Sequence, residues 1–468
     1  SERPAGRRGP AEFEAYYAAQ RLCDDETWRR SLALLRSPLP PCFRLPRSGV
    51  QADQPALLAT FKEWEPQAVP WCPGAYRLMA PAAVEADGHY AAALAQALSD
   101  AQLAGRLCRQ ETASMVPVLA LGVEPHHLVL DLCAAPGSKT LQLLDAMHAA
   151  PGGVLPSGLL VANDAKEVRL RRLVDRTRRV PMTPLLVTCA DARSYPDLRW
   201  GPDGDGAATA VRFDRVLCDV PCSGDGTVRK ARGIWDTWTP RAGLGHHDTQ
   251  LQVLCRGLDL LAPGGLLVYS TCALNPIENE AVVAAALARA GGAVEVMPVG
   301  VPGLHLEPGL TQWRVPASAP ATAAAPAGGW TYGSWDEAPE EEKGGDRLRR
   351  SMFPAADYCR GRSTAAAAAV SEQLRRCGRL LPAHDDGGCF FVAVLRRTQA
   401  AKTAWKRGDK VVVKSLGLEA VVRGQGTGQF HGRIRVAYPD GSNFHVAPED
   451  LMPERPCESG SGGSRPPT

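Results

Sequence analysis

The sequence predicts an α/β fold: a Rossmann-like, mostly parallel sheet with a helical and mixed region before it and a small SH3-like β barrel after it. Three observations carry this. Five short apolar runs between residues 128 and 272 each lead into a turn bearing Asp or Cys. Helical patterns separate most of them, which implies parallel strands covered on both faces. After residue 398 the pattern changes to short strands joined by Gly-rich turns.

Residues 11–36 read as one helix, with Phe13, Tyr16, Tyr17 and Leu22 in an apolar stripe that Trp28, Leu32 and Leu35 continue. Pro38, Pro40 and Pro41 end it. Residues 89–107 read as a second helix, rich in Ala and Leu. The strand runs follow. Leu128–Leu132 leads into Cys133, Ala134, Ala135, Pro136 and Gly137. Leu159–Ala162 leads to Asp164, Leu185–Thr188 to Asp191, Arg215–Cys218 to Asp219, and Leu266–Tyr269 to Ser270-Thr271-Cys272. Phe390–Leu395 is a late strand. Leu251, Leu254, Leu258 and Leu261 share one helix face that Pro263-Gly264-Gly265 stops. Asn275-Pro276-Ile277-Glu278 reads as a helix start, with Asn as cap, Pro at the first position and Glu at the third.

The expected organisation is 1–125 for the N-terminal region, 126–397 for the sheet domain, 398–454 for the barrel and 455–468 for a disordered tail. An Ala/Pro/Gly-rich stretch (316–329) and an acidic run (336–345) form an expected flexible insertion near 316–350. The net charge of +3 does not announce a nucleic-acid partner, so local clusters must. Fourteen cysteines without a C-x-x-C pair or zinc spacing imply reduced, mostly structural thiols and no metal. No apolar run has membrane-spanning length. A start at Ser1 rather than Met points to a fragment or processed form.

Gly137 lets the backbone approach a ligand, and the helix that follows through Ser138 and Lys139 offers free N–H groups. Asp164 is placed to accept from ribose hydroxyls, and Asp191 from an adenine amino group. Because the loop lacks G-x-G-x-x-G, S-adenosylmethionine is favoured over a dinucleotide.

Three segments then carry a resemblance: Asp131–Thr140, Asp219-Val-Pro-Cys-Ser-Gly-Asp-Gly-Thr227 and Ser270-Thr-Cys272. In that order they resemble the Sun-domain RNA cytosine-5 methyltransferases. Arg109–Pro117, Asn275–Glu280, Thr311-Gln-Trp313 and Gly387–Phe391 resemble the eukaryotic tRNA branch. The resemblance spans roughly residues 11–396. It implies an S-adenosylmethionine-dependent methyltransferase sheet, with residues 1–125 as the RNA-binding part of the Sun module. It makes Cys272 the nucleophile and Cys222 the residue that assists product release. It places Cys133 to Lys139, Asp164, Asp191 and Asp219 at the cofactor, with Lys139 and Asp219 also beside the base. The region between Arg44 and Trp71 is shorter than in the eukaryotic relatives, and the C-terminal barrel is not the extension expected of that branch.

Such an enzyme needs these residue types. Cytosine C5 is a poor nucleophile until a thiolate adds to C6 and makes the ring an enamine. A helix starting at Asn275 and the Lys139 ammonium are expected to favour that thiolate. Arg169, Arg171, Arg172, Arg176, Arg178 and Arg179, and separately Arg229, Lys230 and Arg232, are candidate phosphate contacts. Lys410, Lys414, Arg423, Arg433 and Arg435 are candidate RNA contacts on the barrel, with a protein-interaction role or a simple structural cap as equal alternatives. The expected function is methyl transfer to cytosine C5 of tRNA by a nuclear monomer. The alternatives are ribosomal RNA as substrate, or a catalytically silent RNA-binding scaffold.

Overall fold

The computed structural model describes residues 10–46, 54–79, 88–149, 155–179, 184–200, 209–317, 331–344, 347–358 and 364–398, and the strands within 410–453. The chain divides into two compact units, Ser1–Ala286 with Glu295–Thr398, and Leu287–Val294 with Gln399–Thr468.

The expected single helix over 11–36 is two helices, α1 (Pro10–Gln20) and α2 (Asp25–Leu35). Arg21 takes φ +51°, and Asp24 caps α2 by accepting from Thr27 N at 2.9 Å. A local side-chain cap outcompetes one more turn of helix there. A small antiparallel sheet follows, of β1 (Cys42–Arg44), β2 (Pro66–Ala68), β3 (Ala75–Leu78) and β4 (Cys108–Arg109), in the order β2-β3-β1-β4. Phe43, Phe61, Trp64 and Leu78 bury its apolar face against Leu94 and Leu98 of α3 (Gly88–Leu103).

The central sheet contains β5 (Leu128–Asp131), β6 (Leu159–Asn163), β7 (Leu185–Thr188), β8 (Phe213–Asp219) and β9 (Leu261–Thr271). It continues through β10 (Glu307–Pro308), β11 (Gly378–Leu380) and β12 (Phe390–Arg397). Its order is β10-β11-β12-β9-β8-β5-β6-β7. The run from β9 to β7 is parallel, and β12 lies antiparallel to β9. Val129, Leu130, Leu160, Val216, Leu217, Leu267 and Val268 are buried. Strands covered on both faces tolerate no polar alternation, which explains their continuous apolar runs. Helices α4 (Ser138–Met147), α5 (Glu167–Thr177) and α6 (Leu244–Leu260) fall between these strands. The chain leaves β5 for β6 on one side and later places β8 on the other. This reversal opens a crevice at the carboxyl ends of β5 and β8.

Phe13, Tyr16 and Tyr17 of α1 pack with Trp238, Leu274 and Cys389 in one buried cluster. The first helix therefore sits under the segments that carry the motifs. In the expected insertion, Val315–Pro316 pairs with Thr331–Tyr332, and the acidic run folds into short 3₁₀ turns. The Lys343 ammonium lies 5.2 Å from the Trp335 ring, and Ala338 and Leu348 are buried. Residues 318–330 lie outside the described residues.

The second unit holds β13 (Lys410–Val413), β14 (Leu418–Gln425), β15 (Ile434–Ala437), β16 (Asn443–Val446) and β17 (Leu451–Pro453). They form one antiparallel sheet in the order β16-β15-β14-β13-β17. No pairing between the two edge strands closes it into a barrel among the described residues. The expected tail, 455–468, lies outside them. No helix among the described residues is long and apolar enough to cross a membrane.

Candidate active site

The loop after β5 is fixed by backbone bonds to its neighbours. Leu132 N donates to Leu217 O at 3.0 Å, and Ala134 N to Asn163 O at 2.7 Å. Gly137 takes φ +102°, and a Cβ there would meet Leu173 at 3.3 Å. Only glycine turns the chain into α4 so tightly. Thr140 Oγ1 donates to Asp131 Oδ2 at 2.9 Å. Burial pushes the Asp131 carboxyl up to about 7, and its Oδ1 is buried without a hydrogen bond. Burial also pushes the Cys133 thiol up.

Asp164 lies at the next strand end, accepting from Ala135 N at 3.3 Å and Lys166 N at 3.0 Å. The Arg169 guanidinium is 3.3 Å from it. Asp191 follows β7 but is more exposed, and its carboxylate takes Arg193 N, Nε and Nη2 at 2.6–3.0 Å. Those hydrogen bonds hold its pKa below the ordinary aspartate value. Both carboxylates expected to meet the nucleoside are thus engaged by arginines.

On the other side of the switch point, Lys139 Nζ lies 2.7 Å from Asp219 Oδ2. Burial opposes the ammonium, but the Asp219 carboxylate more than offsets it and raises the Lys139 pKa. Ser270 Oγ donates to Asp219 Oδ1 at 2.8 Å. The Phe390 ring centroid is 5.0 Å from Lys139 Nζ. Cys222 Sγ and Cys272 Sγ are 3.4 Å apart. The thiol–thiol bond to Cys272, and then burial, push the Cys222 pKa well up. Two thiols fifty residues apart therefore meet beside a lysine–aspartate pair.

Three further features hold the thiols in place. Gly226 N donates to Cys272 O at 3.0 Å, and a Cβ on Gly226 would lie 2.6 Å from that oxygen. Glu278 accepts from Ser223 N at 2.8 Å and Ser223 Oγ at 2.5 Å, and Gln250 Nε2 bridges Pro221 O and Glu278. Asp225 accepts from Tyr17 Oη, Trp238 Nε1 and Leu274 N, tying α1 to the chain just after Cys272.

The expected helix start at Asn275 is corrected here. Asn275 Oδ1 accepts from Ile277 N at 3.1 Å, but the helix itself begins at Glu280. Glu278 reaches Ser223 instead of closing a capping box. The sequence marked none of Glu278, Gln250, Ser223, Ser270, Asp225, Tyr17 and Phe390 as a catalytic or cofactor residue. Glu278 was visible only as a cap, because its true partner lies 55 residues away.

Burial, and then the nearby Asp225 carboxylate, push Glu278 up to about 7 from an ordinary 4.5. The folded chain thus holds a proton that the unfolded chain releases between those values. The stability this contributes is complete below pH 4.5 and is lost as pH rises to about 7. Each group adds a slope of up to about 1.4 kcal/mol per pH unit. Asp131 acts with the same sign, so Glu278→Gln removes one proton's share of the slope and leaves the rest. Denaturant melts across this range measure it, and an unchanged slope refutes the assignment.

The basic clusters divide. Arg229 is 5% exposed, and its guanidinium donates to Asp386 O and Gly387 O at 2.8 Å and to Pro38 O at 2.8 Å. It lies 2.8 Å from the Asp386 carboxylate and is not a phosphate contact. Arg169 and Arg176 turn inward to Ala135 O and Ser138 Oγ, and Arg171 pairs with Glu167. Arg172, Arg178, Arg179, Lys230 and Arg232 are exposed. Lys414 and Arg433 lie outside the described residues. Arg229→Ala is expected to cost about 3–5 kcal/mol of stability, because it strands a carboxylate and several carbonyls. The salt dependence of RNA binding should keep its slope, and a flatter slope would restore Arg229 to the RNA surface.

A switch-point crevice with a Gly-turned loop, acidic strand ends and a lysine–aspartate pair defines a Rossmann-like methyltransferase fold. Solved structures share it. NSun6 from Pyrococcus horikoshii with SFG matches with a TM-score of 0.55 at 17% identity, covering 83% of this chain and 98% of that one. A methyltransferase homolog protein from the same organism matches with a TM-score of 0.52 at 24% identity, covering 82% and 94%. Residues 118–315 match the family model described as 16S rRNA methyltransferase RsmB/F. The tRNA (cytosine(34)-C(5))-methyltransferase of Drosophila melanogaster is 36% identical over 88% of this chain and 55% of its own length. The multisite-specific tRNA:(cytosine-C(5))-methyltransferase of Saccharomyces cerevisiae is 35% identical over 84% and 56%. The chain is thus similar to the RsmB/F family over residues 118–315 and to these tRNA cytosine-5 methyltransferases over most of its own length. It spans a little over half the length of these curated relatives.

Proposed function

We propose that this chain methylates C5 of cytosine in tRNA, with S-adenosylmethionine as donor and Cys272 as the covalent nucleophile. The observation that carries this is the 3.4 Å contact between Cys222 and Cys272 beside the Lys139–Asp219 pair. The loop fits the cofactor. Asp131 Oδ1 is a buried acceptor without a partner, which suits a ligand ammonium. The Gly137 turn lets backbone approach a ligand. Cys133 to Lys139, Asp164, Asp191 and Asp219 would hold it, with Arg169 and Arg193 yielding the two nucleoside carboxylates. When bound, the cofactor supplies an electrophilic methyl group.

The chain's own residues do the rest. The Cys272 thiolate adds to C6, and the C5=C6 electron pair becomes available at C5. Asp219 hydrogen-bonds the base edge, and Lys139 balances its charge. After methylation, Cys222 Sγ, deprotonated once Cys272 is bonded to C6, takes the C5 proton, the C5=C6 bond reforms and the Cys272 thiolate is expelled. The target cytosine must leave its stack to reach the crevice.

A ribosomal RNA substrate is the second reading, favoured by the description of the matching family model. Labelled S-adenosylmethionine is offered with unmodified tRNA or ribosomal RNA transcripts, and products are read by bisulfite sequencing. Label at cytosine C5 of tRNA is expected. Label confined to ribosomal RNA moves the substrate to the second reading. No transfer to either leaves a silent RNA-binding scaffold.

A further inference from the structure

Away from the crevice, two imidazoles converge on one carboxylate oxygen. His384 Nε2 lies 2.7 Å and His305 Nε2 3.6 Å from the same Glu307 Oε1. The two rings are 4.3 Å apart at 61°, so they meet by an edge and do not stack in parallel. We propose that His305, Glu307 and His384 form a binding site for a borderline divalent cation of the zinc, nickel or cobalt kind.

His384 is within hydrogen-bond reach of that oxygen, whereas His305, at 3.6 Å, is held near it without a hydrogen bond. Three donor atoms within 4.8 Å of one another are a chelating set. Donors around a tetrahedral ion at about 2.0–2.1 Å sit roughly 3.3 Å apart. The pair at 2.7 Å must open slightly and the pair at 3.6 Å must close slightly, which side-chain torsions permit. Two imidazoles and one carboxylate select zinc, nickel or cobalt over magnesium or calcium, which prefer all-oxygen shells. Three protein donors leave a fourth position for water, and it faces solvent because His305 is 67% exposed.

The framework is fixed before any ion arrives. Glu307 lies on β10, in register with Arg379 of β11. His384 lies on α7 (Pro382–Asp385), where its N–H donates to Leu381 O at 3.0 Å. Arg30 donates to Ala383 O at 3.1 Å, and Trp71 Nε1 to Asp385 Oδ1 at 2.8 Å. Glu307 and His384 are 15% and 16% exposed, so few rotamers are open to them. A second group, Glu124, His126 and His127, is less suitable, because His127 Nδ1 already accepts from Glu124 N. An ion at the first group would also brace the segment leading to Cys389, whose N–H donates to Gly226 O in the thiol loop.

The test strips the intact chain with chelator and titrates it with cobalt(II), then zinc(II), by absorption and calorimetry. Stoichiometric binding is expected, with tetrahedral d–d bands and no intense thiolate-to-cobalt band. His384→Gln, Glu307→Gln and His305→Ala should each weaken binding by about tenfold or more. His126→Ala should leave it unchanged. His305 is exposed, so its variant tests the site without threatening the fold, and thermal melts check the other two. Four results overturn the proposal: no stoichiometric binding, thiolate bands, unchanged affinity in His305→Ala, or loss of binding in His126→Ala.

Discussion

Cys272→Ala is expected to abolish the covalent complex with 5-azacytosine RNA and to slow methyl transfer by about four orders of magnitude or more. In the proposed mechanism a thiolate bonded to C6 is what makes C5 nucleophilic, and binding energy cannot replace that missing bond. The variant should fold normally. Cys272 is only part-buried, and the contacts that shape its loop run through its carbonyl oxygen, which alanine keeps. Thermal melts should therefore be nearly unchanged while activity disappears. A covalent complex that persists in Cys272→Ala ends the assignment.

Cys222→Ala should fail in the opposite way. It should form the complex and not let it go, so that an SDS-stable RNA adduct accumulates and turnover falls by about 10²–10⁴-fold. The reason lies in what raises the Cys222 pKa. The largest cause is its bond to the Cys272 sulfur, followed by burial and the Cys272 charge. When Cys272 becomes a thioether on C6, the first and third of these are lost. Cys222 then gives up its proton more readily, at the stage when a base is needed to take hydrogen from C5. Before that bond forms, the raised pKa keeps Cys222 a thiol, which on the proposed mechanism leaves the nucleophilic role to Cys272. Full turnover in Cys222→Ala would remove it from the mechanism.

Much of this was legible in the chain itself. The strand runs were readable because strands buried on both faces must be apolar from end to end, as Val129–Leu130 and Leu267–Val268 are. Cys222, Cys272, Asp219 and Lys139 were readable because each closes or follows such a run. Errors arose where a local rule met a distant partner. Asn275–Glu278 has the letters of a capped helix, but Ser223 captures Glu278 first. Arg229 reads as a surface cation beside an active-site loop, but the carbonyls of Pro38, Asp386 and Gly387 enclose it.

The sequence alone determined the order of strands and helices, the Gly137 turn and which residue types stand at the strand ends. Periodicity and turn chemistry are properties of neighbouring residues, and these are written locally. Only the tertiary structure decided that two thiols touch and that Asp131 keeps an unpaired oxygen. It alone placed Glu278 under Ser223 and brought two histidines from different elements to Glu307. Those facts depend on which strand lies beside which, and that follows from burying the whole sheet at once.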